Sequence, residues 1–151
     1  MEFEAIFGAT LRQGKSEVAT AASLTGAKFT GIYFGAHWAP PCRLFTKTLA
    51  EFYKNANEGG RQFEVVFVSV DGNEAAFERN FAEMPWLAVE YKDTARIASL
   101  KQRYGINGLP TLVILDQDGQ QVNDDGRQDI LNNNLEALEM WDKIRKEHQQ
   151  Q

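Results

Sequence analysis

The sequence predicts an α/β domain built in layers, and three observations predict it. Apolar runs of strand length stand at 29–34, 63–70 and 111–116. Between and after them, apolar residues recur at steps of three and four, the period of a helix with one buried face. The middle run, FEVVFVSV, is apolar almost throughout, which suits a strand buried on both faces in a sheet covered by helices. No repeat, low-complexity stretch or linker divides the 151 residues, so the chain reads as one domain over 1–151. A domain of that length buries roughly 70% of its unfolded surface without disulfide help.

In chain order, FTGIYF at 29–34 is the first clear strand, followed by Gly35. The next stretch puts Phe45, Leu49, Phe52, Tyr53 and Ala56 on one helical face. Pro40 and Pro41 suit its first turn, where backbone N–H groups lack an intrahelical acceptor, and Gly59-Gly60 suit its end. After the strand at 63–70, Phe77 and Phe81 sit one turn apart on a helix that Met84-Pro85 stops. Ile97, Leu100 and Tyr104 mark a short helix ended by Gly105. TLVILD at 111–116 is another buried strand, and Gln117-Asp118-Gly119 turns the chain into an edge strand near Val122. Leu135, Leu138, Trp141 and Ile144 give a closing amphipathic helix, with 146–151 a frayed tail. The expected topology has βαβ connections early and a hairpin late.

Composition excludes several function classes. Cys42 is the only cysteine, so there is no internal disulfide framework; with only His37 and His148 beside it, a Cys/His zinc site is excluded. The 16 basic and 21 acidic residues leave a net charge of −5, the wrong sign for general nucleic-acid binding. No apolar run approaches the ~20 residues of a membrane span. MEFEAIFGAT carries acid where a signal peptide carries base, and no N-x-Ser/Thr acceptor occurs. The expectation is a soluble monomer of a reducing compartment, the cytoplasm with the nucleus in addition, using no metal and no cofactor.

In open α/β sheets, ligands gather where strands end and the following helices begin. The first clear strand delivers the chain to such a place, at His37-Trp38-Ala39-Pro40-Pro41-Cys42-Arg43. The positive end of a helix lowers the pKa of a nearby thiol and favours the reactive thiolate. Taken alone, a free cysteine is more often buried and inert. Pro110, leading the strand at 111–116 after Gly108 and Leu109, suits a fixed turn with a cis peptide; taken alone it is more often an ordinary strand-leading proline.

Together, WAPPCR, FEVVFVSVD, EMPWLAVEY and YGINGLPTLVILD resemble the tryparedoxin and nucleoredoxin branch of the thioredoxin superfamily. That branch carries W-C-P-P-C-R, then M-P-W-L, then a cis-proline in I/L-P-T-L. SEVATAASLTG resembles its N-terminal strand and lead-in, and GRQDILNNNLEALEMW its C-terminal ending, so the resemblance covers nearly the whole chain. It implies a thioredoxin-like fold, a central mixed β-sheet flanked by helices on both faces, and a thiol–disulfide oxidoreductase reducing protein or glutathione-type disulfides. An upstream thiol reductant is the second partner implied.

The resemblance implies roles residue by residue. Trp38 stands beside the redox pair, Pro40 and Pro41 lie between its positions, and Cys42 is the resolving, less exposed sulfur. Pro110 faces the pair in cis, and Leu109 lines the substrate rim. Arg43 and Arg127 match arginines that would attract an anionic glutathione-type group, against the plainer reading of solvated surface arginines. Trp86 falls in the M-P-W-L block as a substrate contact or as core filling. FTGIYF holds no acid where ordinary thioredoxins keep a buried carboxylate, so the proton acceptor for Cys42 is unidentified.

One departure matters more than the match. The attacking cysteine of the motif is Ala39 here. A methyl group cannot be a nucleophile, so the chain as written is expected not to run the two-sulfur cycle. Three accounts compete: an introduced Cys-to-Ala substitution that inactivates the enzyme, a natural redox-dead relative that binds a partner at the Trp38/Pro110 groove, and a one-thiol enzyme using Cys42. Retention of every neighbouring motif residue favours the first. The shielded position implied for Cys42 disfavours the third.

Overall fold

In the computed structural model, which describes residues 2–149, the three apolar runs become adjacent strands at the centre of a seven-stranded mixed sheet. The elements run α1 (Glu2–Phe7), β1 (Thr10–Gln13), β2 (Ser16–Ala19), α2 (Thr20–Leu24), β3 (Phe29–Gly35), α3 (Pro40–Ala56) and β4 (Phe63–Ser69). They continue with α4 (Glu74–Phe81), β5 (Leu87–Ala88), α5 (Thr94–Arg103), β6 (Thr111–Leu115), β7 (Gln121–Asn123), α6 (Gly126–Asn133) and α7 (Glu136–Gln149). The sheet order is β2-β1-β5-β4-β3-β6-β7. β3 runs parallel to β4 and antiparallel to β6, so Ile32 pairs with Val66 on one side and Val113 on the other.

Alternation along these strands divides the core between two faces. Tyr33, Phe67, Leu112 and Ile114 pack under Phe45 and Leu49 of α3 and Trp141 of α7. Ile32, Phe34, Val66, Val68 and Val113 pack instead under α1, α2 and α5, through residues such as Phe7, Leu24 and Leu100. Helices therefore cover both faces, and the central strands are buried along their whole length.

Three features differ from expectation. α3 stops at Ala56, before the glycine pair, because Asn57 satisfies the loose ends itself. Its amide donates to the carbonyls of Tyr53 and Phe63, and its Oδ1 accepts the N–H groups of Gln62 and Phe63. The supposed tail is helical to Gln149, and residues 150–151 lie outside the described residues. The third difference is a set of short elements: α1, the strand β1 that makes a hairpin with β2, α2, β5 and α6. With two residues β5 shows no period, yet it joins the hairpin to β4 and so completes one side of the sheet.

Candidate functional site

β3 ends at Gly35, and residues 36–39 carry the chain to the start of α3 beside the carboxyl end of β4. Ala39 is the N-cap residue, with extended backbone (φ −96°, ψ 111°), and Pro40 and Pro41 occupy the first two helical positions. Prolines there cost nothing, since those N–H groups would be orphaned anyway. The N–H of Cys42 donates to the Ala39 carbonyl at 2.9 Å, closing the first turn. Ala39 and Cys42 are thus one turn apart, and both are buried, Ala39 at 7% exposure. Ala39 lines a groove of about 480 Å³ with Trp38, Val70, Ile106 and Leu109; Cys42 is 2% exposed and does not line it.

A buried carboxylate holds the approach to the helix. Asp71, just past β4, accepts the backbone N–H of His37 at 2.9 Å and the Ser69 hydroxyl, with the Asn80 amide at 3.4 Å. Tyr91 donates to the Asp71 carbonyl at 2.6 Å. Trp38 remains 63% exposed, while its indole N–H donates to the Val70 carbonyl at 3.2 Å. The loop is therefore fixed at both His37 and Trp38.

Behind Cys42 lies Tyr33 of β3, at the strand where no acid was found. Its hydroxyl reaches the Cys42 carbonyl at 3.0 Å and the Thr46 Oγ1 at 2.7 Å, and Thr46 donates to the same carbonyl at 2.9 Å. Burial pushes the Tyr33 phenol well up, so it stays protonated as a hydrogen-bonding group and is no anionic base at neutral pH. Tyr33 carries no functional signal in the sequence, because an aromatic in an apolar strand looks like core.

Burial also pushes the Cys42 thiol up. A backbone hydrogen bond at Ala36 and the positive field of Arg127 pull it down, but burial is the largest influence. Burial thus opposes the lowering that a helix terminus gives a nearby thiol. Since burial favours the neutral thiol, thiolate should appear at a higher pH in the folded chain than in the unfolded one. Iodoacetamide is expected to label native Cys42 at least ~10-fold more slowly than the urea-unfolded thiol at pH 8, with the native pH profile displaced to the alkaline side. Equal rates in both states would show an accessible, ordinary thiol and return the one-thiol account.

Arg127 reaches this neighbourhood from α6. Gly126, at the start of that helix, lies so close to β6 that an added Cβ would meet Ile114 Cδ1 at 2.8 Å and Leu112 Cδ2 at 3.0 Å. Asp129, one turn on, accepts the Trp141 indole N–H at 2.9 Å and ties α6 to α7. Gly126→Ala is expected to cost about 1–3 kcal/mol by overpacking and to displace Arg127 from Cys42. Urea unfolding checks the cost, and an unchanged midpoint would contradict it.

The other expected site residues divide. The Leu109–Pro110 peptide is cis, Pro110 is buried, and Leu109 lines the groove beside Trp38 and Ala39. Arg43 sits elsewhere: it donates to the His37 carbonyl at 2.6 Å and lines a separate cavity of about 670 Å³ with Leu44, Lys47 and Glu83. Trp86 requires correction as a substrate contact. It is 1% exposed, packed edge-on against Tyr33 and Tyr53 in the core, and out of reach of a surface ligand. Among the described residues, no cluster of His, Cys, Asp and Glu could hold a metal ion, and no helix is long and apolar enough to cross a membrane.

Comparison with known proteins follows the same lines. A family model described as Thioredoxin-like matches residues 26–121. The nucleoredoxin of Danio rerio is 45% identical over 138 residues, covering 91% of this chain and 32% of that protein. The tryparedoxin of Trypanosoma brucei brucei is 40% identical over 111 residues, covering 74% of this chain and 76% of that one. The crystal structure of tryparedoxin I from Crithidia fasciculata superposes with a TM-score of 0.80 at 35% identity, covering 88% and 92% of the two chains. This chain spans about a third of the length of the nucleoredoxin it matches.

Proposed function

The chain belongs to the thioredoxin-like family, and from that premise we propose that residues 38–43 are a thiol–disulfide exchange centre of nucleoredoxin and tryparedoxin type whose attacking sulfur is missing at Ala39. One observation carries the reading. Position 39 opens onto a groove floored by Val70 and Leu109 at a helix N-terminus, while the chain's only thiol waits one turn behind it, shielded.

In the cycle this implies, a thiolate at position 39 attacks one sulfur of a substrate disulfide and expels the other as a thiolate. The Cys42 thiol passes its proton through solvent to the substrate thiolate already released, attacks the sulfur at position 39, closes a 39–42 disulfide and releases the second substrate thiolate. An upstream dithiol then reduces that bond, taking the disulfide onto itself. Tyr33 and Thr46 hold the Cys42 carbonyl in this scheme, Asp71 holds the approach loop, and Arg127 supplies positive charge as the Cys42 thiolate forms. The chain as written stops before the first step. Restoring the sulfur by Ala39→Cys and assaying reduction of insulin or oxidised glutathione tests the reading; no gain over the present chain would overturn it.

Ala39 itself favours a second reading, a redox-silent module that presents the Trp38/Pro110 groove to a partner protein. It expects the present chain to capture a partner that Trp38→Ala loses, with no dependence on thiols.

A further inference from the structure

We infer that Lys101 is a specificity-determining residue of the exchange groove, selecting disulfides that carry a carboxylate beside the cystine; this rests on the function proposed above. Among the described residues, Lys101 is the only charged side chain lining the groove that holds position 39. The rest of the wall is mostly apolar, from Trp38, Val70, Ile106 and Leu109. Lys101 is half-buried, and among the described residues its ammonium makes neither an ion pair nor a side-chain hydrogen bond. Lys101 stands in the last turn of α5, where the helix terminus favours a cation, but no acid pairs with it, so a carboxylate entering the groove meets an uncompensated charge.

The neighbouring groups leave the position open. Lys101 also lines a small depression with Ser69, Asp71, Tyr91 and Ile97. Asp71, the one acid there, is buried and already accepts from His37, Ser69 and Asn80. Arg43 opens onto a different cavity, and the charge of Arg127 acts behind the groove, on Cys42. With a net charge of −5, the molecule's long-range field opposes anions, so any preference for them has to be local. Lys101 supplies that local charge.

The carboxylate could belong to an acidic residue flanking a protein's cystine or to a small glutathione-type thiol, and one experiment separates the two. In the Ala39→Cys background, kcat/KM is measured for three disulfides: the cystine-linked dimers of Ala-Glu-Cys-Glu-Ala and Ala-Lys-Cys-Lys-Ala, and oxidised glutathione. The acidic dimer is expected to exceed the basic one about five- to tenfold, mainly through KM; Lys101→Glu inverts the order and Lys101→Arg keeps it. A fall with Lys101→Glu for oxidised glutathione as well assigns the site to carboxylates of either source. A fall for the acidic peptide alone assigns it to protein substrates. Equal ratios in all three variants overturn the inference while leaving the exchange reaction intact.

Failure of Ala39→Cys to reduce any of the three would count against the exchange reading and not against Lys101, which has its own test. The present chain is titrated with Ala-Glu-Ser-Glu-Ala and Ala-Lys-Ser-Lys-Ala, following the amide resonances of residues 101 and 106–109. Shifts from the acidic peptide alone, lost in Lys101→Glu, support the inference. Equal responses to both peptides, or none, contradict it.

Discussion

Ala39→Cys is expected to raise disulfide reduction from background to a rate on the order of a thousandfold higher, the scale on which loss of a nucleophile is felt. The surroundings of position 39 would admit a sulfur. The backbone there is extended and unstrained, so cysteine is accommodated without a change of conformation. The two prolines that follow remove first-turn N–H groups that a side chain could otherwise cap, while the helix terminus still stabilises negative charge on the introduced thiol. The two thiols would differ in access: position 39, though only 7% exposed, lines the groove, whereas Cys42 does not and has its thiol pushed up by burial. On the proposed function, that asymmetry would make the first the attacker and the second the resolver.

Asp71→Ala is expected to cost about 2–4 kcal/mol, because removing one buried acceptor leaves the His37 N–H, the Ser69 hydroxyl and the Asn80 amide short of a partner. Thermal unfolding at pH 7 should show a Tm lower by about 5–15 °C. Asp71→Asn keeps an oxygen for His37 and should lose less than half as much. In the Ala39→Cys background the same change should slow exchange more than the stability loss explains, since His37 stands two residues before the reacting position. A Tm within 1 °C of the parent would show that the carboxylate does not hold the loop.

Much of this arrangement was legible in the sequence, for physical reasons that can be stated. The runs around Ile32, Val66 and Val113 are apolar in nearly every position because those strands are buried on both faces, and length with valine enrichment separates them from helices. Pro40 and Pro41 marked the start of α3 because proline is tolerated only there. The short elements were not legible: β5 has two residues, and α6 has a weak apolar pattern because Gly126 and Trp141 hold it in place through tertiary packing.

The site was legible only where its residues were contiguous. Trp38, Ala39 and Cys42 stand in one motif, and Leu109 and Pro110 in another. Asp71, Tyr33 and Lys101 act through positions that only folding brings together. A buried aspartate after a strand reads as a turn residue, and a lysine on α5 reads as a solvated face. Trp86 stood between substrate contact and core filling because a motif block does not show which way a side chain faces, and it packs against Tyr33 and Tyr53 in the core.

The central claim is that positions 39 and 42 form one redox pair with a sulfur missing. The most direct measurement is the mass and free-thiol count of Ala39→Cys after mild oxidation with oxidised glutathione, followed by iodoacetamide in urea. The account predicts a monomer lighter by two hydrogens, with no thiol left to alkylate and both returned by dithiothreitol. Two alkylated thiols after oxidation, or only a glutathione adduct or a disulfide-linked dimer, would contradict it.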